Sequence, residues 1–306
     1  MRDSFAQEVR TLAEQNKDLV LLSGDIGNRM FDEYKKIAPD RFINCGIAEA
    51  NMMSMASGMA LCGLRPVIYT ITPFTTTRCL EQIRIGVAYH QAPVVIVGTG
   101  SGLSYSELGP THHSLEDIGI LKCIPNLNIL TPSDKQELVI QLREALKSNI
   151  PSYMRIGKKG EPILYKDTKK LGIGKANLLA KGQKILVIGI GPIISEALES
   201  KKILEPKGIN IGVATMGSIR PLDKNFLERM ISEGYQKWIT LEEHGIVGGL
   251  GSTLIEWVSD NDKFDKVKIH RLGVPEIFIN ELGNQAYTRK KLGIDKDGIS
   301  KFIEEL

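Results

Sequence analysis

A run of apolar residues that ends in small polar ones, repeated down the chain with helical stretches between, leaves few folds open. Leu19-Val20-Leu21-Leu22 is the first such run, and it closes on Ser23-Gly24-Asp25. Val67-Ile68-Tyr69 and Val94-Val95-Ile96-Val97 repeat the pattern, and Leu127-Asn128-Ile129-Leu130 does so more weakly. A strand that is apolar at every position is buried on both faces, which belongs to a parallel sheet rather than a half-solvated antiparallel one. Helices predicted at 4–16, 48–62, 75–90 and 133–147 supply the crossovers; the first carries Phe5, Val9 and Leu12 on one face. Strand and helix in alternation give a doubly wound α/β sheet, whose ligands bind beyond the carboxyl ends of the strands. Asp25, Phe74 and the loop 99–113 gather there.

At 306 residues the chain has room for a second domain with its own core. Its composition breaks at 157–181, with Gly157-Lys158-Lys159-Gly160-Glu161-Pro162 and then Lys166-Asp167-Thr168-Lys169-Lys170. This predicts a first domain over 1–160, a connection over 161–181 and a second, smaller α/β domain over 182–306, with strands at 184–190, 209–214, 238–241 and 267–272. The net charge is +3 without a basic block, which gives nucleic acid no support as a partner. No apolar run reaches membrane-spanning length, and the first residues have no apolar signal core. Cys45, Cys62, Cys79 and Cys123 show no zinc-like spacing and lie in apolar segments, so buried, reduced thiols in a cytoplasmic protein are expected.

Chemistry is concentrated in two places. Arg41–Met52 joins a short apolar strand, Phe42-Ile43, through a turn at Gly46 to a helix of small residues running from about 48 to 61. Glu49 stands where turn becomes helix; locally it reads as a first-turn glutamate favoured by the helix dipole. The second place is the glycine-rich loop 98–113, which holds His112 and His113, two of the five histidines.

The strings Arg41-Phe-Ile-Asn-Cys-Gly-Ile-Ala-Glu-Ala-Asn-Met52, Pro73-Phe-Thr-Thr-Thr-Arg-Cys-Leu-Glu-Gln-Ile-Arg84 and Gly109-Pro-Thr-His-His-Ser-Leu-Glu-Asp-Ile-Gly119, in this order, resemble the transketolase family of thiamine diphosphate enzymes. The resemblance implies that Glu49 holds N1′ of the cofactor's aminopyrimidine, favouring the imino tautomer whose nitrogen takes the proton from the thiazolium C2. It implies that Phe74 stacks on that ring, and that Asp25, Ile26 and Ile47 touch the cofactor. Arg78, one helical turn beyond Phe74, lines the same pocket in this reading. His112 matches the histidine that faces the substrate and steadies its alkoxide, with His113 beside it where the family usually has glutamine. Arg155 matches an arginine that contacts substrate phosphate, and Arg29 occupies a nearby position.

Three departures narrow what the resemblance implies. Leu108 replaces the aspartate that reads a substrate hydroxyl, Gly100 replaces a phosphate-contacting histidine, and Ile71 replaces a second aromatic. An unusual sugar, or a smaller and more apolar acceptor, fits better than an ordinary pentose phosphate. The Gly-Asp-Gly run that binds diphosphate through Mg²⁺ in this family is missing from the sequence. The chain therefore reads as the C-terminal subunit of a split enzyme, paired in an α2β2 assembly with a subunit that holds Mg²⁺ and diphosphate. A start at Met1 followed by a full amphipathic helix favours a subunit over a fragment. The alternatives are a deoxyxylulose-phosphate synthase-like subunit, a 2-oxo-acid dehydrogenase β-like subunit, and a non-catalytic partner. Two segments of the second domain are decoys: Gly189-Ile190-Gly191-Pro192 lacks the third glycine of a dinucleotide loop, and Glu242-Glu243-His244-Gly245 reads as structural rather than metal-binding.

Overall fold

The computed structural model describes residues 1–27 and 29–306. Its first sheet has seven strands: β1 (Leu19–Ser23), β2 (Phe42–Asn44), β3 (Arg65–Ile71), β4 (Val95–Thr99), β5 (Asn128–Leu130), β6 (Ser152–Ile156) and, from much later in the chain, β10 (Ser218–Arg220). The order is β10-β5-β6-β4-β3-β1-β2, parallel throughout except where β10 runs antiparallel to β5. The second sheet holds β7 (Ala176–Ala180), β8 (Ile185–Gly189), β9 (Gly212–Met216), β11 (Lys237–Gly245) and β12 (Lys268–Val274) in the order β12-β11-β8-β9-β7, with only β7 antiparallel. Two doubly wound, mostly parallel α/β units result. The connection expected over 161–181 includes β7, the edge strand of the second sheet.

Burial on both faces explains the continuous apolar runs. Leu19 and Leu21 join one core with Phe5 and Val9 of the helix Arg2–Gln15, while Val20 and Leu22 join another with Met52, Met53 and Ala56 of the helix Glu49–Leu61. Each of the larger side chains among them contributes about 1.5–3 kcal/mol by leaving water. Among the described residues no helix is long and apolar enough to cross a membrane.

Two expectations are corrected. The helix expected at 75–90 is broken into a turn at Thr72–Thr75, a 3-10 turn at Thr77–Cys79 and a π-helical stretch at Gln82–Tyr89. The hydroxyls of Thr75 and Thr76 donate to the carbonyl of Thr72, and that of Thr77 to Pro73, so side chains compete for the bonds an α-helix would use. The four thiols are free but not all buried: Cys62 and Cys123 are exposed because each lies just past the end of its helix.

Candidate active site

The loops that follow β1, β2, β3 and β4, adjacent in the sheet, all open on its carboxyl edge and each carries a residue singled out above. Beyond β1, Asp25 is exposed with φ +53°, a backbone region that aspartate tolerates better than most residues. Its carboxylate accepts from Asn44 Nδ2 at 3.0 Å, tying the first loop to the second. The Asn44 side chain also accepts from Gly46 N–H at 3.0 Å, shaping the turn into the helix that Glu49 begins.

Glu49 is 3% exposed. Its Oε1 lies 2.9 Å from Arg78 Nη1, and the Arg78 guanidinium carbon lies over the Phe74 ring at 4.0 Å from its centroid. Phe74 in turn meets the His112 ring edge-on, with centroids 5.3 Å apart. Glu49, Arg78, Phe74 and His112 therefore form one continuous contact chain drawn from three loops. Thr111 Oγ1 pairs with His112 Nδ1 at 2.9 Å. Burial, then the neighbouring His113 and Arg78, lower the His112 pKa, so the ring is neutral at pH 7.

Arg78 supplies a test of what this cleft accepts. A flat group with N–H donors along its edge already lies between the carboxylate and the aromatic face. An aminopyrimidine presents a comparable flat face and nitrogen edge, so the residues present fit that part of thiamine diphosphate once the half-exposed Arg78 swings aside.

Other predicted residues are placed differently. Ile26 is half-buried behind its loop, whereas Arg29 and Ile47 are exposed, Ile47 to 82%. His113 is buried and turned onto the Ser106 carbonyl, 3.4 Å from Nε2, rather than outward. Arg155 is enclosed. It is 3% exposed, its Nε donates to Asp117 Oδ2 at 2.8 Å, and its Nη2 donates to the carbonyls of Ser114 and Glu243. Tyr153 adds a hydroxyl bond to Asp117 at 2.6 Å. Burial pushes Asp117 up, but Arg155 and then His244 outweigh it and hold the carboxyl below its ordinary value. An arginine so enclosed neutralises a buried acid.

Tyr105 was missed by sequence reasoning. Its ring lies 6.2 Å from that of His112, with Lys158 Nζ 4.6 Å above it. It also bears on Gly100, which has φ +77°: a Cβ there would lie 2.0 Å from the Tyr105 ring, so any side chain would have to displace that ring. The only advance signal was an aromatic residue in a glycine-rich loop.

In the second unit, Glu242 accepts from the N–H groups of Leu250 and Gly251 at 2.7 and 2.9 Å, capping the helix Leu250–Asp260. Burial raises its pKa to about 7 against those two bonds. His244 Nε2 accepts from Gly119 N–H at 3.3 Å while Nδ1 faces the Gly245 carbonyl at 2.7 Å, so the segment serves the seam between the units.

Residues 1–161 match the family described as transketolase, pyrimidine binding domain, and residues 174–299 match transketolase, C-terminal domain. An apulose-4-phosphate transketolase subunit from Phocaeicola vulgatus is 33% identical over 302 residues, covering 98% of this chain and 95% of that one. The 1-deoxy-D-xylulose-5-phosphate synthase of Halothermothrix orenii is 32% identical over 96% of this chain, which spans 46% of its length. Among solved structures, a split gene transketolase in an inactive beta4 tetramer superposes with a TM-score of 0.87 at 26% identity, covering 99% of this chain and 96% of that one.

Proposed function

This chain belongs to the transketolase family, and from that premise we propose that it is the C-terminal subunit of a split, thiamine diphosphate-dependent transferase that moves a two-carbon ketol or acyl unit to an aldehyde or ketone acceptor. The observation that carries the reading is the contact chain from Glu49, 3% exposed, through Arg78 and Phe74 to His112. Thiamine diphosphate supplies the nucleophilic carbon when bound. Glu49 would face the pyrimidine nitrogen from a nearly dry position, and Phe74 would give that ring its stacking face. Arg78 keeps the Glu49 charge paired until the ring takes its place, after which its cation can meet an anionic group on cofactor or substrate. In the tautomer in which Thr111 donates to Nδ1, neutral His112 carries its proton on Nε2 and can donate to an alkoxide.

A partner subunit is part of the proposal. Ile47 stands almost fully solvated beside the nearly buried Glu49, which suits a surface that a second polypeptide completes. The sequence has no Gly-Asp-Gly run, so Mg²⁺ and the diphosphate are assigned to an α subunit, in an α2β2 arrangement. Leu108 and the Tyr105 ring over Gly100 make an atypical sugar the better donor. A relative named for apulose 4-phosphate supplies the first substrate to try. Synthase relatives that match nearly the whole chain favour a second reading, in which pyruvate is the donor.

The test combines this chain with its α partner, Mg²⁺, thiamine diphosphate and an aldehyde acceptor, and measures turnover of apulose 4-phosphate beside pyruvate. Ketol transfer with negligible pyruvate consumption supports the reading; pyruvate decarboxylation alone would transfer the assignment to the synthase type.

A further inference from the structure

The proposed chemistry makes no use of Glu243, yet the structure holds this residue at 6% exposure with more partners than any surface role requires. Its Oε2 accepts from the N–H of Leu103 at 3.2 Å, and its main-chain carbonyl accepts from Arg155 Nη2 at 3.1 Å. The same Arg155 nitrogen donates to the carbonyl of Ser114 at 3.0 Å. Leu103 and Ser114 are the two sides of one neck, closed by the bond from Ser114 N–H to the carbonyl of Gly102 at 3.0 Å. Between them runs the loop that carries Tyr105, Leu108 and His112. Glu243 thus touches one side of that neck directly and the other through Arg155.

The fit is close from both directions. Gly102 has φ +61°, and a Cβ placed on it would lie 2.4 Å from Glu243 Cβ, so the neck accepts only glycine. On its far side the Glu243 carboxylate is ion-paired with Arg289 and accepts from Gln285 Nε2 at 3.0 and 2.9 Å. Both residues belong to the helix Gln285–Lys291, and Arg289 is braced again by Glu196 at 3.2 Å. Stability alone would be served as well by packed apolar side chains, because a buried ion pair roughly cancels its own desolvation. What the polar arrangement adds is a fixed direction.

We propose that Glu243 is a positioning residue through which the second domain clamps the neck of the loop 102–114 and so sets the place of His112 against Phe74. Its catalytic consequence rests on the role given to His112 above, but the clamp itself is tested without turnover. Amide hydrogen exchange by mass spectrometry and imidazole proton resonances would be followed in the full chain, with His112 assigned by the signal lost in His112→Ala. Glu243→Ala should raise exchange across 102–114 by about tenfold or more, a local opening, while Ile185–Gly189 and Gly212–Met216 exchange as before. The His112 titration should move up toward the ordinary value of about 6.5 as the loop takes on water. Glu243→Gln keeps an acceptor for Leu103 and should stay near the wild type in both readings, which also guards against a folding failure in the alanine variant. Unchanged exchange at 102–114, an equal rise across the whole second domain, or an unmoved His112 titration would each overturn the proposal. Loss of turnover in His112→Ala bears only on the function assigned to His112, so the two failures stay apart.

Discussion

Glu49 and Arg78 divide a single task, since the acid is almost out of water while the base is half in it. Removing the acid while keeping its shape, as Glu49→Gln, should leave the assembled enzyme intact by size-exclusion chromatography and cut turnover by about 10²–10⁴, the range for a positioned proton-transfer group. Turnover within threefold of wild type would refute the role given to Glu49. His112→Ala should cost about 10²–10³ in turnover if the ring steadies an oxyanion. Arg155 behaves differently in this account. Because its cation answers the buried Asp117, Arg155→Met should lower the melting temperature sharply, as expected when a buried charge loses its partner. An unchanged melting temperature with a raised KM would instead return Arg155 to the substrate.

At the scale of elements, close approach between strand and loop sets where Phe74 stands. A Cβ on Gly98 in β4 would meet Thr72 Oγ1 at 2.9 Å, Thr75 Oγ1 at 3.0 Å and Thr72 Cα at 3.1 Å. Gly98→Ala should therefore push the Thr72–Thr75 turn outward at a cost of about 1–3 kcal/mol, visible as a lower urea midpoint. The strands β1, β3 and β4 were legible in the sequence because burial on both faces writes itself as an unbroken apolar run. The π-helical Gln82–Tyr89 was not, since threonine hydroxyls that turn back on their own backbone leave no mark in apolar spacing. β6 is hidden for a similar reason: it carries Arg155 next to its last residue, and the Asp117 that makes this tolerable is 38 residues away. Glu49, Phe74 and His112 could be named from motifs, but that Arg78 joins two of them, or that Tyr105 fills the space above Gly100, depends on side-chain directions that sequence does not carry.

Across the whole molecule, the seam between the two units sets a buried polar cluster beside its apolar contacts. Glu137 of the helix Lys135–Lys147 accepts from Ser133 N–H at 2.7 Å and from Tyr165 at 3.1 Å, and Tyr165 reaches Thr215 of β9 at 2.7 Å. Glu137 Oε1 has no partner among the described residues, and burial pushes the carboxyl up to about 8 against the Ser133 and Tyr165 bonds. A carboxyl whose folded pKa lies above its unfolded value binds its proton more tightly when folded. Its contribution is thus complete below about pH 4.3 and is lost as pH rises through about 8. The melting temperature should fall over that window, and Glu137→Gln should flatten the fall; an identical slope in the variant would place the effect elsewhere. β10 draws a broader consequence from the same seam. Ser218–Arg220 belongs to the later half of the chain but completes the margin of the earlier half's sheet against β5. A protease cut in the lysine-rich stretch near residue 168 should consequently leave two pieces that still travel together, because backbone bonds rather than the severed tether hold them. Heating the uncut chain should likewise melt it in a single step.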